Sequence, residues 1–191
     1  MPRNRADEDR DSKVDDVLDA AERQLRSGGL SAFSVAAVAR ELGIAQATVY
    51  WYFPSRDHLL VAVVDRTVRR ILERKHDIGL ELADEIVWFV DQLYDFAALR
   101  AAMYERARSS AVVEEFAAGF QKGLRTLLAN TLRPYLAPEE LGVGVEVFAA
   151  TVEGILVQCG DDAGARRRQV AFALDRLTGG RLRAGVSPSS S

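Results

Sequence analysis

Gly43-Ile44-Ala45-Gln46-Ala47-Thr48-Val49-Tyr50-Trp51-Tyr52-Phe53, closed by Pro54-Ser55-Arg56, is the stretch on which the reading of this chain turns. Gly43 suits a tight turn after a helix, because glycine alone enters φ > 0 without steric cost. Pro54 pushes Phe53 out of helical geometry, so a helix begun near Ala45 ends there. Barely two turns remain, carrying Gln46, Thr48, Tyr50, Trp51 and Tyr52. A helix that short is unstable by itself. It needs neighbours to hold it, and its aromatic and polar surface needs a purpose.

The supports lie immediately upstream. Ser34 is a good N-cap for a helix over Val35 to Leu42, with Val35, Val38, Ala39 and Leu42 facing inward. Counted from Val35, a small residue (Ala39) stands fifth, glycine (Gly43) ninth, and apolar Ile44 and Val49 tenth and fifteenth. Two helices crossing steeply need a small residue at the contact, a glycine in the turn and apolar wedges behind. This is a helix-turn-helix pattern over about 35–53. Before it, Val14, Val17, Leu18, Ala21 and Leu25 form one apolar stripe of a first helix from about Ser12 to Gly28-Gly29. After it, Ser55 caps a longer helix carrying Leu59, Leu60, Val63, Val64, Val68, Ile71 and Leu72.

The resemblance to the TetR family of bacterial transcriptional repressors rests on these residues in this order. It runs through the first helix ending in Gly28-Gly29, then Phe33-Ser34-Val35-Ala36-Ala37-Val38-Ala39-Arg40-Glu41-Leu42-Gly43. It continues with Thr48-Val49-Tyr50-Trp51-Tyr52-Phe53-Pro54-Ser55-Arg56-Asp57 and Leu59-Leu60. It covers about residues 12–71; the rest matches only as a string of helices. Those are expected after a break at Ile78-Gly79: Glu81 to Leu99, Arg100 to Arg108, Val112 to Leu132 (stopped by Pro134), Pro138 to Cys159, and Ala165 to Leu177. The expectation is an all-α chain of about nine helices. Residues 1–11 read as a disordered charged arm and 12–71 as a three-helix DNA-binding domain with the helix-turn-helix. Residues 72–180 read as a helical effector-binding and dimerisation domain, and 181–191 as a flexible tail.

Composition agrees with a cellular globular protein. Of the 191 residues 48% are hydrophobic, the formal net charge is −3, and Cys159 is the one cysteine. The charge excludes a generally basic nucleic-acid coat, so any such contact is local. A single cysteine allows no internal disulfide. The charged start contains no apolar signal-peptide region, and no apolar run approaches the roughly 20 residues that span a bilayer. A cytoplasmic location without membrane contact is expected, and no metal or cofactor.

On a helical wheel Val49 and Phe53 face the supporting helices, while Ala47, Tyr50 and Trp51 point the other way with Thr48 at the edge. Gln46 sits at the helix start, where side chains reach base edges. Glutamine pairs with adenine, and Thr48 or Ala47 can touch a thymine methyl. Tyr50, Tyr52 and Arg56 suit phosphates, as do the N–H groups capped by Ser55 and, secondarily, Ser34. The candidate DNA-binding set is therefore Ser34, Gln46, Ala47, Thr48, Tyr50, Trp51, Tyr52, Ser55 and Arg56. Between Ser34 and His58 the charges cancel, Arg40 and Arg56 against Glu41 and Asp57.

The resemblance further implies a homodimer on a palindromic double-stranded operator, its last two helices forming the interface. Phe148, Val152, Ile155, Leu156, Phe172, Leu174 and Leu177 are the candidates there. It also implies a pocket for an unidentified small, mostly apolar effector, with Trp88, Phe89, Tyr94, Met103, Tyr104, Phe116, Phe120 and Glu153 as candidate lining. The competing reading keeps the DNA-binding dimer but lets the C-terminal domain dock a protein partner and no small molecule. Glu73-x-x-His76 has the spacing of half a di-iron helix pair. With only His58 and His76 in the chain, neither that enzyme nor a tetracycline–magnesium ligand is supported.

Overall fold

The computed structural model describes the backbone of residues 5–76 and 82–180, and the side chains of 12–74 and 84–180. The expected break at Ile78-Gly79, the His76 side chain and the tail 181–191 lie outside those residues. Among the described residues the fold is all-α. The helices are α1 (Arg5–Ala32), α2 (Val35–Leu42), α3 (Gln46–Tyr52), α4 (Arg56–His76), α5 (Leu82–Asp95), α6 (Ala97–Ala107), α7 (Ala111–Leu132), α8 (Pro138–Cys159) and α9 (Ala163–Leu177). None of them is long and apolar enough to cross a membrane.

Two expectations about the elements change. Residues 5–11, expected in a disordered arm, are the first turns of α1. That run contains neither glycine nor proline, and its acidic residues favour a helix N-terminus. Phe96, not Leu99, separates α5 from α6. The domain boundaries also differ from a simple split at 71/72. The chain forms two compact units, one of residues 1–73 with 96–118, the other of 74–95 with 119–191. The α6 segment thus belongs with the N-terminal helices.

In the first unit α1 packs on α2 and α6, and α2 on α3. Val17, Ala21, Leu25, Phe33, Val38, Val49, Leu59, Leu60, Val63, Leu99 and Met103 are among its fully or almost fully buried apolar residues. An ion-pair network joins α4 to α1, Arg66 bonding Asp19 at 2.7 Å and Glu22 at 3.2 Å. In the second unit α9 packs on α5 and α8. Its core comprises Ile86, Val87, Val90, Leu93, Leu132, Val145, Phe148, Val152, Ile155, Val170 and Leu174.

One further pair holds α6 to the start of α4. Arg106 donates to both carboxylate oxygens of Asp57, at 2.8 and 3.0 Å. Those hydrogen bonds hold the Asp57 carboxyl below its ordinary value of 3.8. A depressed value means the pair's contribution is complete above 3.8 and is lost as pH falls through the folded-state value. Asp57→Asn should therefore lower the thermal midpoint at neutral pH by the equivalent of about 1 kcal/mol. The difference from the wild-type chain should shrink in melts recorded at successively lower pH. A gap independent of pH would mean that the ion pair is not its cause.

Candidate nucleic-acid interface and ligand cavity

The short helix is built from its supports outward. Ser34 has extended backbone and its Oγ accepts from Ala37 N at 3.1 Å, which starts α2. Gly43 ends α2 with φ 66° and ψ 29°. Its N–H reaches the Arg40 carbonyl (3.3 Å), and Ile44 N–H reaches that of Ala39 (3.0 Å). That paired closure needs a left-handed residue, which is why glycine stands there. The chain then turns directly into α3. Phe53 leaves helical geometry before Pro54, and His58 N–H donates to Ser55 Oγ at 3.3 Å to open α4.

Val49 and Phe53 are buried, at 0% and 9% exposure, while Tyr50 and Trp51 stand out at 46% and 67%. Ala45, Gln46 and Ala47 are exposed; Thr48 and Tyr52 are half-buried. Tyr52 meets Trp51 edge-to-face, their ring centroids 4.8 Å apart. α3 thus presents one amide and a run of small and aromatic groups to solvent, with a single valine anchoring it beneath.

Residues 17–63 match the family model described as "Bacterial regulatory proteins, tetR family". A curated relative, the HTH-type transcriptional repressor KstR of Rhodococcus jostii (strain RHA1), is 32% identical over 109 residues, 52% of this chain and 51% of KstR. Over this segment the chain is similar to TetR-family regulators. The matched segment spans about half the length of that relative. Among solved structures, a transcriptional regulator from Rhodococcus sp. Rha1 shares 24% identity at a TM-score of 0.70, covering 92% of this chain and 99% of that one. A regulator from Saccharomonospora viridis in complex with choline reaches a TM-score of 0.73 at 16% identity, covering 86% and 96%. Both likenesses establish the fold.

Arg56 does not point where the sequence placed it. Its guanidinium donates to the Leu30 carbonyl at 2.5 Å and lies over the Phe33 ring, 5.4 Å from the centroid. Gly29 breaks α1 at φ 61°, which leaves that carbonyl outside the regular helix and gives Arg56 an internal acceptor. Ser34 and Ser55 are likewise occupied as caps. Missed at the front of the turn was Ile44, read as a wedge yet 36% exposed.

The second unit contains a cavity between α5, α7 and α8. Its walls are Ile86, Phe89, Val90 and Leu93, then Leu124, Leu127 and Leu128, then Phe148, Ala149 and Val152. Glu85, Thr131 and Glu153 add polar atoms, and the space measures about 630 Å³ including its mouth. Of the candidates named from sequence, Phe89 and Glu153 line it. Trp88 leans on Phe89 with centroids 6.5 Å apart but does not reach the cavity. Phe120 packs against the core, and the Tyr94 hydroxyl donates to the Asp161 carboxylate. Met103, Tyr104 and Phe116 fall in the first unit and line no part of this cavity. The reason is the placement of α6 and of the first turns of α7, which periodicity does not encode.

The interface candidates also sort by burial. Phe148, Val152, Ile155 and Leu174 are buried within the chain's own second unit, and Leu156 and Leu177 pack against that core. Phe172 alone of the seven is largely exposed, at 60%. The apolar surface left bare was missed: Val143, Val147 and Val157 are 66%, 55% and 82% exposed.

Proposed function

We propose that this chain is a DNA-binding transcriptional regulator, a cytoplasmic repressor that binds a palindromic operator as a homodimer and releases it when a small, mostly apolar effector binds. The observation that carries the reading is α3 itself, a helix anchored by one buried valine with Gln46, Ala47, Tyr50 and Trp51 turned outward. The match of residues 17–63 to the tetR-family model supports it. Such a helix enters the major groove while its partner crosses the backbone. The test is selection from random duplex DNA by the full-length chain. An inverted repeat should be enriched; no enrichment even at low salt would sink the proposal.

Residue tests follow. Gln46→Ala removes a bidentate base contact and should weaken operator binding by about tenfold. Tyr50→Ala removes a phosphate donor and should weaken it several-fold. Both should leave the sedimentation coefficient unchanged; a variant that binds as the parent would remove its residue from the interface.

Val143, Val147, Ala150, Gly154 and Val157 recur at four- and three-residue steps, so they form one stripe on α8. A Cβ added at Gly154 would meet nothing within 4 Å, leaving room for a neighbouring helix to come close. Such a bare apolar stripe is costly in water and marks an association surface. Val147→Glu should convert a dimer to a monomer at micromolar concentration in light scattering and weaken operator binding with it. A dimer unchanged by the substitution would place the interface elsewhere.

The α5–α7–α8 cavity supports a small-molecule effector over a docked protein, because its walls are concave and apolar. An effector acts by favouring a conformation whose recognition helices no longer fit successive grooves. A compound that raises the thermal midpoint should also raise the operator dissociation constant; binding without that coupling would leave only a ligand-binding dimer.

A further inference from the structure

No arginine, lysine, histidine, aspartate or glutamate occurs from Gly43 to Ser55. In the major groove, guanine is read chiefly by arginine or lysine and cytosine by aspartate or glutamate. α3 has neither. The charges flanking it are committed to the protein. Glu41 accepts from Arg23 at 2.7 and 2.9 Å and from Gln24 at 3.2 Å. Arg56 is held by the Leu30 carbonyl, and Asp57 by Arg106. The His58 ring nitrogen Nδ1 is 2.8 Å from Ser55 Oγ. Arg40 is exposed, but it lies on α2, the helix that crosses the phosphate backbone in this docking mode.

What α3 exposes is one carboxamide, Gln46, beside the methyl groups of Ala45 and Ala47 and the rings of Tyr50 and Trp51. A carboxamide pairs with the N6 and N7 of adenine, and apolar groups pack on the C5-methyl of thymine. We infer that each operator half-site presents A·T pairs beneath α3, read through adenine by Gln46 and through thymine methyls by Ala47 and Trp51. This rests on the DNA-binding reading above and adds what the helix selects.

The test alters the DNA, so no variant has to fold. The full-length chain is titrated by fluorescence anisotropy against the duplex it selects, then against duplexes with deoxyuridine replacing each thymine in turn, which removes only the methyl. One or two positions per half-site should bind about four- to tenfold more weakly, the effect of losing one buried methyl contact. At the position facing Ala47, Ala47→Gly should make the uracil and thymine duplexes equivalent. Gln46→Ala should relax the preference for adenine at one position alone. A selected operator with G·C pairs at the centre of the protected half-site, or one indifferent to every uracil, would overturn the inference while leaving DNA binding intact. Failure to select any duplex would instead overturn the parent reading.

Discussion

Val49→Asp should abolish operator binding, by more than a hundredfold, while leaving the second unit folded and self-associated. Val49 has no solvent exposure and is the buried residue inside the seven-residue α3. Its removal forfeits about 1.5–3 kcal/mol of apolar burial. An unpaired carboxylate in the same place costs several kcal/mol more. A two-turn helix has no stability of its own to absorb that, so α3 should detach from α2 and expose its backbone. Hydrogen exchange resolved by segment would show fast exchange confined to about residues 45–53. Val49→Ala should cost about 1.5–2 kcal/mol and weaken binding less. Ile44→Asp is the internal control: that side chain is already 36% exposed, so a charge there should leave α3 in place. Parent-like affinity in Val49→Asp would mean that something other than this anchor orients the recognition helix.

The contrast between Val49 and Ile44 shows how far the sequence could be read. Gly43 was legible because the turn it closes admits essentially one residue type. Tyr50 and Trp51 were legible because a helix of known start and stop puts them opposite the anchor. Arg56 was legible as a cation but not as a direction, since its acceptor exists only because Gly29 breaks α1 far away in sequence. The same limit governs α6. Its apolar residues repeat as any helix's do, and nothing in that repeat says that α1 is the partner, so Met103 and Tyr104 were assigned to the wrong unit. α8 is the sharpest case. It is apolar on both faces, and periodicity cannot distinguish Phe148 and Val152, which pack inside the chain, from Val143 and Val147, which are left bare. Only the positions of α5 and α9 separate them.

The largest effect expected in the second unit comes from a residue that charge alone would leave on the surface. Arg166, in the first turn of α9, is 5% exposed. Its guanidinium bonds Asp91 on α5 at 2.9 and 3.0 Å, donates to the Gly160 carbonyl at the end of α8, and lies 4.0 Å from the Tyr94 ring centroid. One side chain thereby ties three helices. Removing one member of a buried pair costs about 3–5 kcal/mol when the other is stranded. Asp91 retains a third of its side-chain exposure and can rehydrate, so Arg166→Ala should fall near the lower end, about 3 kcal/mol. That corresponds to a drop on the order of 10 °C or more in the midpoint of this unit. Arg166→Lys should recover little, because one ammonium cannot reproduce a planar fork that bonds two acceptors and stacks on a ring. Since α8 and α9 carry the bare apolar side chains, the Arg166→Ala chain should also dimerise more weakly, and bind its operator more weakly in proportion. A midpoint within a degree or two of the parent would show that the α5–α8–α9 core holds these helices without the arginine.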